Sequence, residues 1–175
     1  MRIGEPPPPD EPDPEEPAWL LSKAWQRAEL MVWGAHGGAG VTTLATWLQP
    51  AWDMGLARPP THPRYPATVV AGRPLVIACR STVWSACAAT TAVTAVTRAG
   101  GQVAVLAIVS DGWPEPPAAT ARFRLLEPQV GAVVRIPFVP GLRLVDDPAA
   151  VALPRRALRA LDQIRTAIGG SPHIR

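Results

Sequence analysis

The stretch Gly34-Ala35-His36-Gly37-Gly38-Ala39-Gly40-Val41-Thr42-Thr43 has the residue types and spacing to hold a phosphate. Glycines let the backbone curl until successive N–H groups converge on an anion, and the start of a helix adds partial positive charge. A fully equipped loop of this kind ends in Gly-Lys-Ser/Thr, with the lysine reaching the β- and γ-phosphates. Val41 stands in that lysine's place. The main-chain half of the chemistry is therefore present and the charged half is not. Phosphate binding at Gly37, Gly38, Ala39, Gly40 and the residues beside them competes with a plainer reading, a glycine-rich turn that keeps its shape without a ligand.

Further along, Asp111 follows the apolar run Val103–Val109, and Arg80 and Arg143 also follow apolar runs. Ligands of α/β folds gather at the carboxyl ends of strands, so these three are secondary candidates. Asp111 lies in Ser-Asp-Gly-Trp-Pro, a sequence that equally suits a turn. Arginine forks bind phosphate well, and surface ion pairing is the other reading of Arg80 and Arg143. Cys79 and Cys87 make neither a metal-ligand set nor a disulfide framework, and both are expected to be buried and reduced. No Ser/His/Asp set or pair of carboxylates stands out, so no catalytic residue is assigned.

The elements that must position the loop are legible from apolar pattern and punctuation. Leu30–Trp33 reads as a strand and Thr42 to Ala51 as a helix, with Pro50 weakening its last turn. Pro74–Cys79 is a continuous apolar strand, as in a parallel sheet buried on both faces. Ser81 or Thr82 can cap a helix over Val83–Arg98, which Gly100-Gly101 ends. A strand over Val103–Val109, a helix from Pro116 or Pro117 to Leu126 and a strand over Ala132–Phe138 follow. Pro154 opens a closing helix that runs to Ile168. A short strand at Thr68–Ala71 and a helix at Ala18–Glu29 are also expected. Alternating strands and helices with short connections predict a parallel α/β sheet flanked by helices.

His36 through Thr43 resembles the deviant Walker A motif of the ParA/MinD branch of P-loop ATPases, Lys-Gly-Gly-x-Gly-Lys-Thr-Thr. Gly37, Gly38, Gly40, Thr42 and Thr43 match, while His36 and Val41 replace the two lysines. The chain looks similar to lysine-less relatives of this branch from high-GC actinobacteria. The resemblance implies a P-loop NTPase-like fold, small and truncated beside full ParA/MinD proteins. It implies ATP or ADP with magnesium as ligand, Thr42 on the metal and Thr43 near the α-phosphate. His36 stands where the family's second lysine reaches across a homodimer, and reads either as a ligand or as a turn residue. The family's Walker B aspartate would follow Leu75–Cys79, where this chain has Arg80. ATP hydrolysis is therefore not expected, since phosphoryl transfer depends on the lysine, the metal and a positioned water. Degenerate members of the branch resemble localisation factors for secretion, pilus or conjugation machines, which implies a scaffold or adaptor. The alternatives are a partition-type ATPase that coats DNA, and an accessory protein that keeps the fold without a ligand.

Length and charge fit one domain. The 175 residues suffice for a sizeable core, and 47% of them are hydrophobic. Residues 1–17 hold seven prolines and six acids against Arg2 alone, a net of −5; the chain's total of +3 leaves +8 on the rest. That composition predicts a disordered tail, then one domain over 18–170 and a disordered end at 171–175. Protein partners are expected through the acidic tail or through Trp19 and Trp25 of the first helix, and DNA through Arg155, Arg156, Arg159 and Arg165. Neither a secretory signal nor a bilayer-length apolar run is visible, so a cytoplasmic location is expected.

Overall fold

A computed structural model describes residues 29–56 and 73–169. The expected helix at 18–29, the expected strand at 68–71 and both terminal tails lie outside these residues, Glu29 excepted. Among these residues five strands form one sheet: β1 (Leu30–Gly34), β2 (Ala51–Leu56), β3 (Leu75–Arg80), β4 (Val103–Val109) and β5 (Val130–Ile136). Their order is β2-β1-β3-β4-β5, and every neighbouring pair is parallel. Among the described residues four α-helices flank it: α1 (Val41–Trp47), α2 (Val83–Arg98), α3 (Pro117–Leu126) and α4 (Arg155–Gly169).

The apolar runs are unbroken because helices cover both faces of the sheet. Alternate residues then sort by face. Met31, Trp33, Leu75, Ile77, Leu106 and Ile108 pack with Ala86, Ala89 and Val93 of α2 and Phe123 of α3. Leu30, Val32, Val76, Ala78, Val105 and Ala107 pack with Leu44 of α1 and Leu161 and Ile164 of α4. Right-handed crossovers explain the division. The chain leaves β1 toward one sheet edge and β3 toward the other, which sends α1 to one face and α2 and α3 to the opposite one.

Two elements differ from expectation. Helix α1 ends at Trp47, not Ala51, and Ala51–Leu56 is the edge strand β2. Pro50 explains this, since proline stops a helix and is tolerated where an edge strand begins. The last strand lies two residues earlier than expected, at Val130–Ile136, because Pro137 has no N–H to donate to the ladder. Helix α1 is short, and distant segments hold it. Trp47 Nε1 donates to the Pro148 carbonyl at 3.0 Å, and Arg165 Nη2 donates to the Trp47 carbonyl at 3.0 Å.

Candidate functional site

The glycine loop leaves β1 at the C-terminal edge of the sheet. Ala35 N still donates to the Ala78 carbonyl of β3 at 2.8 Å, and the chain then turns away. Gly38 at φ 74° and Gly40 at φ 92° supply the left-handed residues of the turn, a region that costs any residue with a Cβ. Gly40 immediately precedes α1 and accepts from Leu44 N at 2.9 Å. No side chain caps α1, so no side-chain oxygen competes for its first N–H groups.

Thr42 and Asp53 meet beside this turn. Thr42 Oγ1 donates to Asp53 Oδ2 at 2.7 Å, and Asp53 Oδ1 accepts from Gly55 N at 2.8 Å. Asp53 sits on β2, where the pairing with β1 slips by one residue between Val32–Asp53 and Gly34–Leu56. Gly55 at φ 67° takes up the extra residue, as a β-bulge requires. Sequence reasoning missed Asp53 because it assigned Ala51 to a helix and looked for an acid after β3. The available signal was Asp-Met-Gly, an acid and a glycine inside an apolar run that opens just after Pro50.

His36 turns into the protein and is 8% exposed. Its Nδ1 lies 2.8 Å from the Gly37 carbonyl, and its Nε2 accepts from Arg80 N at 3.3 Å. A carbonyl can only accept and an amide N–H can only donate, so these partners assign the neutral tautomer with the proton on Nδ1. The ring also meets Trp84 edge-on at a centroid distance of 4.8 Å. His36 thus pins the loop to the end of β3 at the β1/β3 boundary, the place where the winding of the sheet reverses and a doubly wound fold opens its crevice.

The other candidates are engaged locally. Arg80 meets the loop through its main-chain N–H. Asp111 Oδ1 accepts from Trp113 N at 3.0 Å, the turn geometry its sequence suits. The Arg143 guanidinium lies 4.8 Å over the Phe138 ring. Of the four arginines on α4, all exposed, Arg156 donates to the Phe138 carbonyl and Arg165 to that of Trp47. Burial, reinforced by the Glu115 charge, pushes the Cys79 thiol up to about 12, so it stays protonated and unreactive at neutral pH. Cys87, expected to be buried, is exposed on α2. A small residue at helical spacing tells little about which side faces water.

Beyond β3 lies a second polar group. Glu115 receives two hydrogen bonds from Arg135, from Nε and Nη2, each at 3.0 Å. Those bonds, helped by one from Thr120, hold the Glu115 carboxyl below its ordinary range against the opposing pull of partial burial. No group of three or more metal-capable side chains occurs among the described residues. Nor, among them, is any helix long and apolar enough to cross a membrane. No family model matches the chain, and no curated protein or solved structure matches it significantly.

Proposed function

We propose that this chain is a non-catalytic or weakly nucleotide-binding relative of the ParA/MinD P-loop ATPases, serving as a scaffold or adaptor. The observation that carries the reading is the Thr42–Asp53 contact of 2.7 Å beside a turn built on Gly38 and Gly40. P-loop NTPases hold magnesium with the loop hydroxyl and an acid from a strand. Thr42 and Asp53 are hard oxygen donors, both exposed, and fit that ion. When bound, magnesium would screen the charge of the phosphate oxygens. The main-chain N–H groups of the turn orient those phosphates. Val41 brings no charge to them, and losing one charge-assisted contact costs about 1.5–3 kcal/mol, roughly ten- to over a hundredfold in affinity. Binding without turnover follows from this combination.

Calorimetry with ADP or ATP and magnesium should give a dissociation constant below about a millimolar. Asp53→Asn should remove the magnesium dependence, and Val41→Lys should tighten binding. Absence of heat at high protein concentration sinks the reading. The inward His36 favours a second reading, a ligand-free accessory protein. For that reading neither variant changes anything with nucleotide.

A further inference from the structure

On the sheet face that carries α2 and α3, helix α2 packs along β3 and β4, and α3 packs along α2. No described helix runs along β1 and β2 on that side. Yet Met31 of β1 is 0% exposed, Trp33 and Met54 are each 4% exposed, and Trp52, paired with Met31, is half-buried. We propose that residues 18–28 form a helix lying antiparallel to β1 on this part of the sheet, with Leu21, Ala24, Trp25 and Ala28 turned toward Met31, Trp33, Trp52 and Met54.

A sheet buries an apolar face only against a further layer, so this part of the face calls for one. Two segments outside the described residues adjoin it: 1–28, which leads into β1, and 57–72, which leaves β2. Residues 57–72 carry Pro59, Pro60, Pro63 and Pro66, which break a helix. Residues 18–28 hold no proline, and Pro17 just before them suits a helix start. At about 100° per residue, Leu21, Ala24, Trp25 and Ala28 fall on one stripe, flanked by Leu20. Ser22, Lys23, Gln26 and Arg27 lie outside that stripe, and Trp19 falls among them. The two tryptophans of this segment therefore point different ways: Trp25 belongs to the apolar side and Trp19 to the polar one.

The place where the segment ends agrees with this. Glu29 N donates to the Pro50 carbonyl at 2.9 Å, which fixes the chain beside the starts of β1 and β2. A helix of roughly nine residues is about 14 Å long and leaves a short turn before Leu30. The five residues of β1 span about 16 Å, so helix and strand match in length. Such a helix begins near the C-terminal edge of the sheet. Residues 1–17, with six acids against Arg2, would then leave the fold at the edge that carries the glycine loop. Partner docking is left to this tail and to Trp19, because the Trp25 stripe is occupied at home. The proposal stands whether or not the loop binds phosphate.

The test compares thermal unfolding of the full chain with that of two variants. Trp25→Ala should lower the melting temperature by about 5–15 °C, as loss of a buried aromatic does, and Trp19→Ala by less than about 2 °C. Hydrogen exchange on the unsubstituted chain supplies a readout that survives if Trp25→Ala fails to fold. Amides of 21–28 should be protected in the monomer, and Met54→Ala should reduce that protection severalfold. Equal sensitivity to the two tryptophan variants, or amides of 21–28 that exchange as in an unfolded peptide, overturns the proposal. Protection that appears only as the chain dimerises also overturns it, since the covering helix then comes from a second copy.

Discussion

Two strand-to-helix junctions lie side by side at the C-terminal edge of the sheet, and they are built on opposite plans. The β3–α2 junction takes two residues, and the second of them, Thr82, closes the helix end. Thr82 accepts from Ser85 N at 3.2 Å and donates to Ser85 Oγ at 2.8 Å, and the helix it starts runs for 16 residues. The β1–α1 junction spends six residues, two of them left-handed glycines, to start a helix of only seven residues with no side-chain cap. In the first, side chains close the helix end and propensity carries the rest. In the second, backbone geometry is kept at the expense of local stability, and no side chain closes the helix end. On the proposed reading, that contrast is a ligand turn beside a structural one.

The contrast is easiest to break at Gly40. Placing any Cβ at φ 92° strains the backbone, so Gly40→Ala should cost about 1–3 kcal/mol in chemical denaturation and remove nucleotide binding with it. Gly37→Ala is the control. Gly37 has an ordinary φ and open space where a Cβ would sit, so stability should hold to within about 0.5 kcal/mol. If both cost the same, the loop has another conformation. Thr82→Ala should cost about 1 kcal/mol, since it strands the Ser85 N–H, and should leave nucleotide affinity untouched. A loss of affinity there would mean the two junctions are one site.

The smallest effect concerns Glu115. Its pairing with half-exposed Arg135 should contribute up to about 1 kcal/mol, measured as the difference between the parent and Glu115→Gln. A carboxyl held below its ordinary range stabilises the fold fully above the unfolded value, near about 4.3, and loses that contribution as pH falls through the folded one. The difference should therefore be constant near neutrality and shrink as the medium is acidified below about pH 5. A difference that grows in acid would contradict the pairing.

The parts of this molecule legible in its sequence were those fixed by local physics. Unbroken apolar runs marked β1, β3 and β4 because a sheet covered on both faces needs no alternation. Thr82 and Gly100-Gly101 bracketed α2 at its observed ends, since caps are local chemistry. The glycine turn was legible for the same reason. What stayed hidden depends on pairing across the sheet. Strand β2 is an edge strand of mixed burial, so its pattern resembles the tail of the preceding helix. Asp53 was lost with it, because the acid belongs to a strand that adjoins β1 in space on the side away from β3. The sequence reads His36 either as a ligand or as a turn residue, and only the tertiary fold shows its ring spent on Arg80 N.

The two ties on Trp47 have a bearing on biosynthesis. They reach from α1 to Pro148 and Arg165, across 101 and 118 residues of chain. A nascent polypeptide emerging from the ribosome holds the residues of α1 long before it holds either anchor, Pro148 or Arg165. A chain stopped short of Pro148 would therefore leave the end of α1 without either tie.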